Sequence, residues 1–362
     1  MKRTKAPFRA DLVGSFLRPA AIKEARAKRE KGEISAGQLK EVEDREIRNV
    51  IRKQEDVGLQ VATDGEFRRA WWHYDFFSML DGMELYELDH GIQFQGVQTK
   101  AQGIRVVGKL GFSNHPMLEH FKFLQANTRV TPKMTIPSPS VLHFRLEPGA
   151  VDKRLYASND GIFEDLGKTY QQAVKAFYDA GCRYLQFDDT AWAYLCSKEE
   201  LRKAKERGIN VDRVAQDYAG VINRALEGKP DDMIITTHVC RGNFRSTWIA
   251  EGGYEPVAEI LLGGVNYDGY FLEYDTERAG GFEPLRFLPK GKLAVLGLVS
   301  TKLRPMEDAD ELKRRIEEAS HYAPIEQLAL CPQCGFSSAI RMGPDRLTDD
   351  EQWRKLELVR RV

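Results

Sequence analysis

His238 and Cys240 stand two residues apart in Thr237-His238-Val239-Cys240, and further along come Glu273 and the run Cys331-Pro332-Gln333-Cys334. One imidazole nitrogen, two thiolates and one carboxylate form a donor set that suits tetrahedral Zn²⁺, with the oxygen as the least committed ligand. Taken singly these signals are weak. His and Cys are common in buried strands, and Cys-x-x-Cys is also the spacing of thioredoxin-like redox sites. Carboxylates gather elsewhere, in Asp64-Gly65-Glu66 and Asp188-Asp189. Such pairs act as acid and base in glycoside hydrolases, though hydrolases of that kind need no nearby thiolates. A free thiol, with a pKa of about 8.5, is mostly protonated at neutral pH, and coordination to Zn²⁺ converts it to a nucleophilic thiolate.

The elements that must position these residues alternate between short β-like runs and longer amphipathic stretches, the pattern of βα units and a parallel sheet. Eight strands are expected, at Asp11 to Phe16, Leu59 to Gly65, Val130 to Ser138, Arg183 to Asp188, Met233 to Cys240, Tyr270 to Tyr274, Leu293 to Val299 and Gln327 to Cys334. Eight is the number of a (β/α)8 TIM barrel, whose active sites lie at the C-terminal strand ends, and the chemistry-bearing residues fall at those ends. His238 and Cys240, two apart on one strand, share a face. Helices are expected at Ala20 to Arg29, Gln38 to Val57, Ile162 to Ala180 (with Gly181 as its C-cap), from a Ser197/Glu200 capping box, and at Tyr254 to Leu262, Asp308 to Tyr322 and Asp349 to Arg361. The connection from Phe67 to Arg129 is too long for an ordinary βα loop. Its alternating segments Gln93 to Val97 and Ile104 to Gly108 predict a β-hairpin arm, read as a lid. An open doubly wound sheet is disfavoured because no glycine-rich dinucleotide fingerprint follows the first strand. The expected organisation is one barrel over 1–362 with a 67–129 insertion.

Composition sets the outer bounds. The 362 residues include 54 Lys+Arg against 54 Asp+Glu, with 42% hydrophobic and 30% charged residues. That composition fits a large buried core under a solvated surface, and it carries no overall charge that would favour nucleic acid or an anionic membrane. No apolar run of membrane-spanning length and no signal-peptide core occurs, so the expected location is the cytoplasm. Five cysteines, Cys182, Cys196, Cys240, Cys331 and Cys334, are too few and odd in number for a disulfide framework.

In order along the chain, Gly14-Ser15-Phe16, Asp64-Gly65-Glu66, Gln186-Phe187-Asp188-Asp189, Thr237-His238-Val239-Cys240, Glu273 and Cys334-Gly335 resemble the motifs of the C-terminal catalytic barrel of cobalamin-independent methionine synthase. The resemblance covers nearly the whole chain and implies zinc-dependent methyl transfer to homocysteine, giving methionine. It implies His238, Cys240, Glu273 and Cys334 as zinc ligands, with Cys331 a near neighbour. It implies that Ser15 holds the amino-acid carboxylate, that Glu66 and Asp188 receive the ammonium, and that Asp189 supports Asp188 or faces the methyl donor. Phe144 falls near the position of an aromatic that stacks on the donor. The family's acid histidine after the seventh strand has no counterpart in Gly297-Leu298-Val299-Ser300-Thr301-Lys302, which leaves Lys302 or water as the proton source. Arg18, Arg68, Arg69, Arg241 and Arg245 are salt-bridge partners or an anion grip, and Phe67, Trp71, Trp72, His73, Tyr74, Phe76 and Phe77 are core or a platform for a flat donor.

The expected partners are thus a small thiol and a methyl or alkyl donor, with a homodimer left open. Two other functions compete: addition of coenzyme M or a similar thiol to an epoxide, and a sensor that captures thiol or metal without turnover.

Overall fold

The computed structural model describes residues 3–89, 91–94, 97–98, 102–242, 248–337 and 347–362. In chain order the strands are β1 (Val61–Ala62), β2 (Asp81–Glu87), β3 (Gln93–Phe94), β4 (Val97–Gln98), β5 (Gln102–Gly111), β6 (Thr131–Pro132), β7 (Met134–Pro137), β8 (Tyr184–Asp189), β9 (Ile234–Val239), β10 (Gly269–Glu273), β11 (Leu293–Val299) and β12 (Leu328–Pro332). The architecture is mixed α/β. Strands β12, β11, β10, β9, β8 and β7 form one parallel sheet in that order, and β1 pairs in parallel with β6, one residue before β7. Every residue of β7, β8, β10, β11 and β12 is buried, as expected of parallel strands covered on both faces.

Helices alternate with these strands. Those over Ala36–Val57 and Asp349–Arg361 begin with reciprocal capping boxes, Ser35 with Gln38 and Thr348 with Glu351. At the helix Lys198–Glu206, the Ser197 side chain accepts from the Glu200 backbone. The helix Asn159–Asp179 stops at Ala180, and Gly181 follows with φ +97. The expected helix at Tyr254 to Leu262 is a short turn, Glu255–Ala258, continued by a π-helical turn, Glu259–Gly263.

The first expected strand differs from its prediction. Only Ala10 forms a bridge, to Leu330, and residues 11–16 are not strand. Side chains take over the backbone pairing here. Lys133 Nζ donates to the Leu12 carbonyl (2.5 Å), Gln186 Nε2 to Val13 (3.0 Å) and Thr63 Oγ1 to Gly14 (2.6 Å), while the Leu17 amide donates to Gln352 Oε1 (2.8 Å). These bonds answer the requirement that buried backbone groups be satisfied without a ladder. A backbone bond from Phe16 N to Gly65 O (3.1 Å) ties the segment to the end of the second expected strand.

Between Phe67 and Arg129, β2 and β5 form the long antiparallel pair, with Leu85 opposite Ile104 and Glu84 opposite Arg105. The segment Ile104 to Gly108 therefore pairs with β2 and not with the Gln93 segment expected from the sequence, which forms its own short β3–β4 pair. Residues 95–96 of that segment lie outside the described residues. The register follows burial: Met83, Ile104 and Val106 turn into the main core, which a pairing with the polar Gln93 run would not provide.

Candidate metal and substrate site

The strand period sorts the residues at the sheet's C-terminal end. His238 lies near the end of β9, and Cys240 follows two positions on, facing the same way. Glu273 is the last residue of β10, beside β9, and Cys334 lies two residues beyond β12. One donor atom from each of His238, Cys240, Glu273 and Cys334 lies within 4.8 Å of all the others, so these four residues could hold a metal ion. Both ring nitrogens of His238 are buried with no hydrogen bond of ordinary geometry, and Cys334 is the polar neighbour that acts on the ring. Cys331 turns instead into the core beside Val295 and Ala329, and burial drives its thiol pKa far up.

Electrostatics inside the cluster follow from short separations. Cys240 Sγ lies 3.5 Å from Cys334 Sγ. The hydrogen bond from Cys240 brings Cys334 down to about 5 against the effect of burial, with His238 adding to the drop, and the same bond and burial raise Cys240. Burial opposes a charged His238, but Cys334, Asp188 and Glu273 outweigh it and raise its pKa. Glu273 is fully buried. Burial alone would raise it, yet Lys302 and His238 hold it below the usual carboxylate range. Its Oε1 accepts from the Arg241 amide (2.8 Å) and its Oε2 from Gln333 Nε2 (3.0 Å).

A cavity of about 40 Å³ opens onto this cluster, lined by His238, Cys240 and Cys334 together with Ser15, Glu66 and Asp188. Glu66 has φ +60, the one positive-φ residue other than glycine among the described residues. Holding a non-glycine residue there costs roughly 1 kcal/mol or more, and such strain concentrates at functional sites. Several bonds over-determine it. The Glu66 amide donates to Asp64 Oδ1 (2.9 Å), Thr135 Oγ1 donates to Glu66 Oε1 (2.9 Å), Arg18 Nη2 donates to the Glu66 carbonyl (2.8 Å), and Arg69 Nη1 lies 3.7 Å from Oε1. Asp188, whose Oδ1 accepts from Gln186 Nε2 (2.7 Å), is pushed up to about 7 by burial and by the Glu66 charge, with His238 opposing. Ser15 sits against Gly335: a Cβ at that position would come within 2.0 Å of Ser15 Oγ.

Four sequence-predicted residues do not line this cavity: Glu273, enclosed next to it, and Asp189, Phe144 and Lys302. Asp189 points to the opposite face of β8, where it accepts from Ser140 Oγ and from the Ala191 amide (2.8 Å). Phe144 lines a neighbouring cavity that shares Ile92 and Arg145 with the first. Lys302 lies beside Glu273, 3.9 Å from Oε2. The arginines are mostly structural: Arg18 holds the carbonyls of Phe16, Glu66 and Ser337, and Arg68 pairs with Glu43 and Asp44. Arg69 donates to the Thr135 carbonyl and Arg241 stacks on Tyr254, while Arg245 lies outside the described residues. The aromatic group divides: Phe67, Tyr74, Phe76 and Phe77 are core, whereas Trp71, Trp72 and His73 face the cavity. Sequence reasoning missed Arg145, Tyr194 and the role of Gln333. Gln333 alone carried a signal, as a polar residue enclosed between two cysteines.

Comparison with known proteins agrees with this arrangement. Residues 8–342 match the cobalamin-independent synthase catalytic domain. The chain is 51% identical over 362 residues to the uncharacterized protein YxjG of Bacillus subtilis, covering 99% of this chain and 94% of that one. It is 25% identical over 329 residues to a methionine synthase of Pyrococcus abyssi, covering 90% and 85%. A structural-genomics target from Listeria monocytogenes, described provisionally as a vitamin-B12-independent methionine synthase, superposes with a TM-score of 0.80 at 42% identity, covering 98% of this chain and 96% of that one. The chain belongs to the cobalamin-independent synthase family, through its catalytic domain.

Proposed function

We propose that this protein is a zinc-dependent methyltransferase that alkylates a small thiol, homocysteine, to methionine. The observation that carries the reading is a four-donor His/Cys/Glu/Cys cluster of which His238, Cys240 and Cys334 line a cavity that Glu66 and Asp188 also line. The donor set fits zinc: two sulfurs on one tetrahedral Zn²⁺ stand about 3.8 Å apart, given Zn–S bonds of about 2.3 Å, and the two sulfurs here are 3.5 Å apart. Zinc held by His238, Cys240, Glu273 and Cys334 would strip the proton from an incoming thiol. The remaining residues bind and orient the substrate. Glu66 and Asp188 receive its ammonium, and Ser15 with its neighbouring backbone receives its carboxylate.

In this reading the fold is a (β/α)8 barrel closed by the segment around Ala10 to Phe16; the Ala10–Leu330 bridge on one side and the bonds to Thr63 and Gly65 on the other support that closure. The stretch 67–129 acts as a lid, contributing Trp71, Trp72, His73 and Ile92 to the cavity. In the proposed roles Asp189 fixes the loop after β8, Phe144 belongs to the outer approach through which the donor arrives, and Lys302 acts on Glu273 and not on substrate. Coenzyme M, which has no ammonium, gives Glu66 and Asp188 nothing to bind.

Purified protein assayed for zinc, then given homocysteine or coenzyme M with methyltetrahydrofolate, methylcobalamin or a small epoxide, should form methionine and no coenzyme M adduct. Thiol binding without product from any pairing refutes the enzyme reading and supports the sensor.

A further inference from the structure

Lys302 is 3% exposed, and its ammonium is buried without a hydrogen-bond partner. A buried cation in that state is costly unless a counter-charge is at hand. Its counter-charge is Glu273 Oε2 at 3.9 Å, too far for the 2.7–2.9 Å of a charge-assisted hydrogen bond. The competing carboxylate, Asp275, is engaged by Arg278 Nη2 at 3.3 Å, and the same Arg278 nitrogen lies 4.0 Å from Glu273 Oε2. Gln333 completes the surround. Its Oε1 accepts from Thr301 N (3.1 Å) and Thr301 Oγ1 (2.9 Å), so its amide NH₂ is turned toward Glu273. Lys302 does not line the cavity, whereas Cys240 and Cys334 do. Glu273 does not line it either, so the cation meets the carboxylate away from the cavity surface.

We propose that Lys302, with Arg278 beside it, is the counter-ion that takes over the Glu273 carboxylate when a substrate sulfur replaces it in the metal site; this positioning role rests on the zinc–thiol reading above. With zinc held by the four residues, the exchange would replace the carboxylate-to-metal bond with a sulfur-to-metal bond. The thiol proton leaves to solvent through the cavity, and Glu273 stays ionised. A shift of about 1 Å brings Oε2 into hydrogen-bond range of Lys302 Nζ. Without the ammonium, the fully buried released carboxylate would be left with Arg278, which Asp275 already engages, as its nearby cation, so Glu273 would stay on the metal.

The test uses zinc-loaded wild type, Lys302→Met and Lys302→Arg, each with and without saturating homocysteine. It reads zinc X-ray absorption and homocysteine affinity by calorimetry. Wild type should exchange one oxygen ligand for sulfur. Lys302→Met should keep the oxygen ligand and bind homocysteine about tenfold more weakly or worse, and Lys302→Arg should restore the exchange. Should Lys302→Met lose its zinc or fail to fold, Lys302→Gln, which keeps a donor, takes its place with the same expectation of retained oxygen and weakened thiol. Exchange with wild-type affinity in the uncharged variants overturns the proposal, as does wild-type protein that adds sulfur while keeping its oxygen ligand. Wild type that binds zinc but adds no sulfur removes the underlying thiol reading, an outcome distinct from either.

Discussion

Replacing Glu66 by Gln removes one negative charge from the cavity wall, and with it a counter-charge of the buried Arg69 at 3.7 Å, while keeping the shape of the side chain. Gln has the same length, can accept from Thr135 Oγ1 (2.9 Å) through its carbonyl, and tolerates the backbone at φ +60 no worse than Glu. If Glu66 and Asp188 clamp an ammonium, the lost interaction is a charge-assisted hydrogen bond, worth about 1.5–3 kcal/mol or roughly 10- to 150-fold in affinity. Part of that loss returns through Asp188. Its pKa is pushed up to about 7 by burial and by the Glu66 charge, so without that charge Asp188 ionises more readily and carries more of the ammonium. The expected rise in homocysteine KM is therefore in the lower part of the range, about 10- to 30-fold. The assay pairs homocysteine with 4-mercaptobutanoate, the same thiol acid without its amino group, and measures the Kd of each by calorimetry on the zinc-loaded protein. Only homocysteine should weaken. Equal loss for both thiols, or none for either, would refute the ammonium-clamp reasoning.

His238→Ala and Cys240→Ser should each lose zinc, measured by elemental analysis after dialysis against a weak chelator, because each removes one of four ligands. Gly335→Ala places a Cβ within 2.0 Å of Ser15 Oγ and must push the two loops apart. Homocysteine KM should rise about tenfold with zinc content unchanged, and an unchanged KM would contradict the contact. His115 and His143 are held near 4 by burial, against an ordinary value of 6.5, so the unfolded chain binds more protons than the folded one between these values. The stability this provides is complete above pH 6.5 and is lost as pH falls toward 4, up to about 3 kcal/mol for each histidine. Urea unfolding of His115→Gln plus His143→Gln should show a shallower pH profile than wild type across that window, and parallel profiles would count against it.

The metal-capable set was legible because each member sits where a strand ends, and period-two alternation needs only local sequence. The same rule separates Asp188 from Asp189, which face opposite sides of β8. Hydrophobic runs and turn signals located the later strands closely, Leu293–Val299 without a shift at either end. The first strand failed because its backbone partners are side chains of Thr63, Lys133, Gln186 and Gln352, distant in sequence and carrying no local pattern. For the same reason Arg145 and Tyr194 were invisible: they reach the cavity only through tertiary packing. The hairpin pairing was misjudged because alternation marks which residues can be strands and not which strands they meet. In β5, burial of Ile104 and Val106 decided it.

Arg18 binds the carbonyls of Phe16, Glu66 and Ser337, and Ala10 bridges Leu330, so residues from opposite ends of the chain meet at the site. For a polypeptide emerging from the ribosome, this sets the order of maturation. His238, Cys240 and Glu273 are synthesised well before Cys334, and Ser15 waits through most of translation for the loop that holds it. A nascent chain stalled anywhere before that last segment has an incomplete grip on metal and no finished substrate wall, so competence arrives in one late step rather than by degrees.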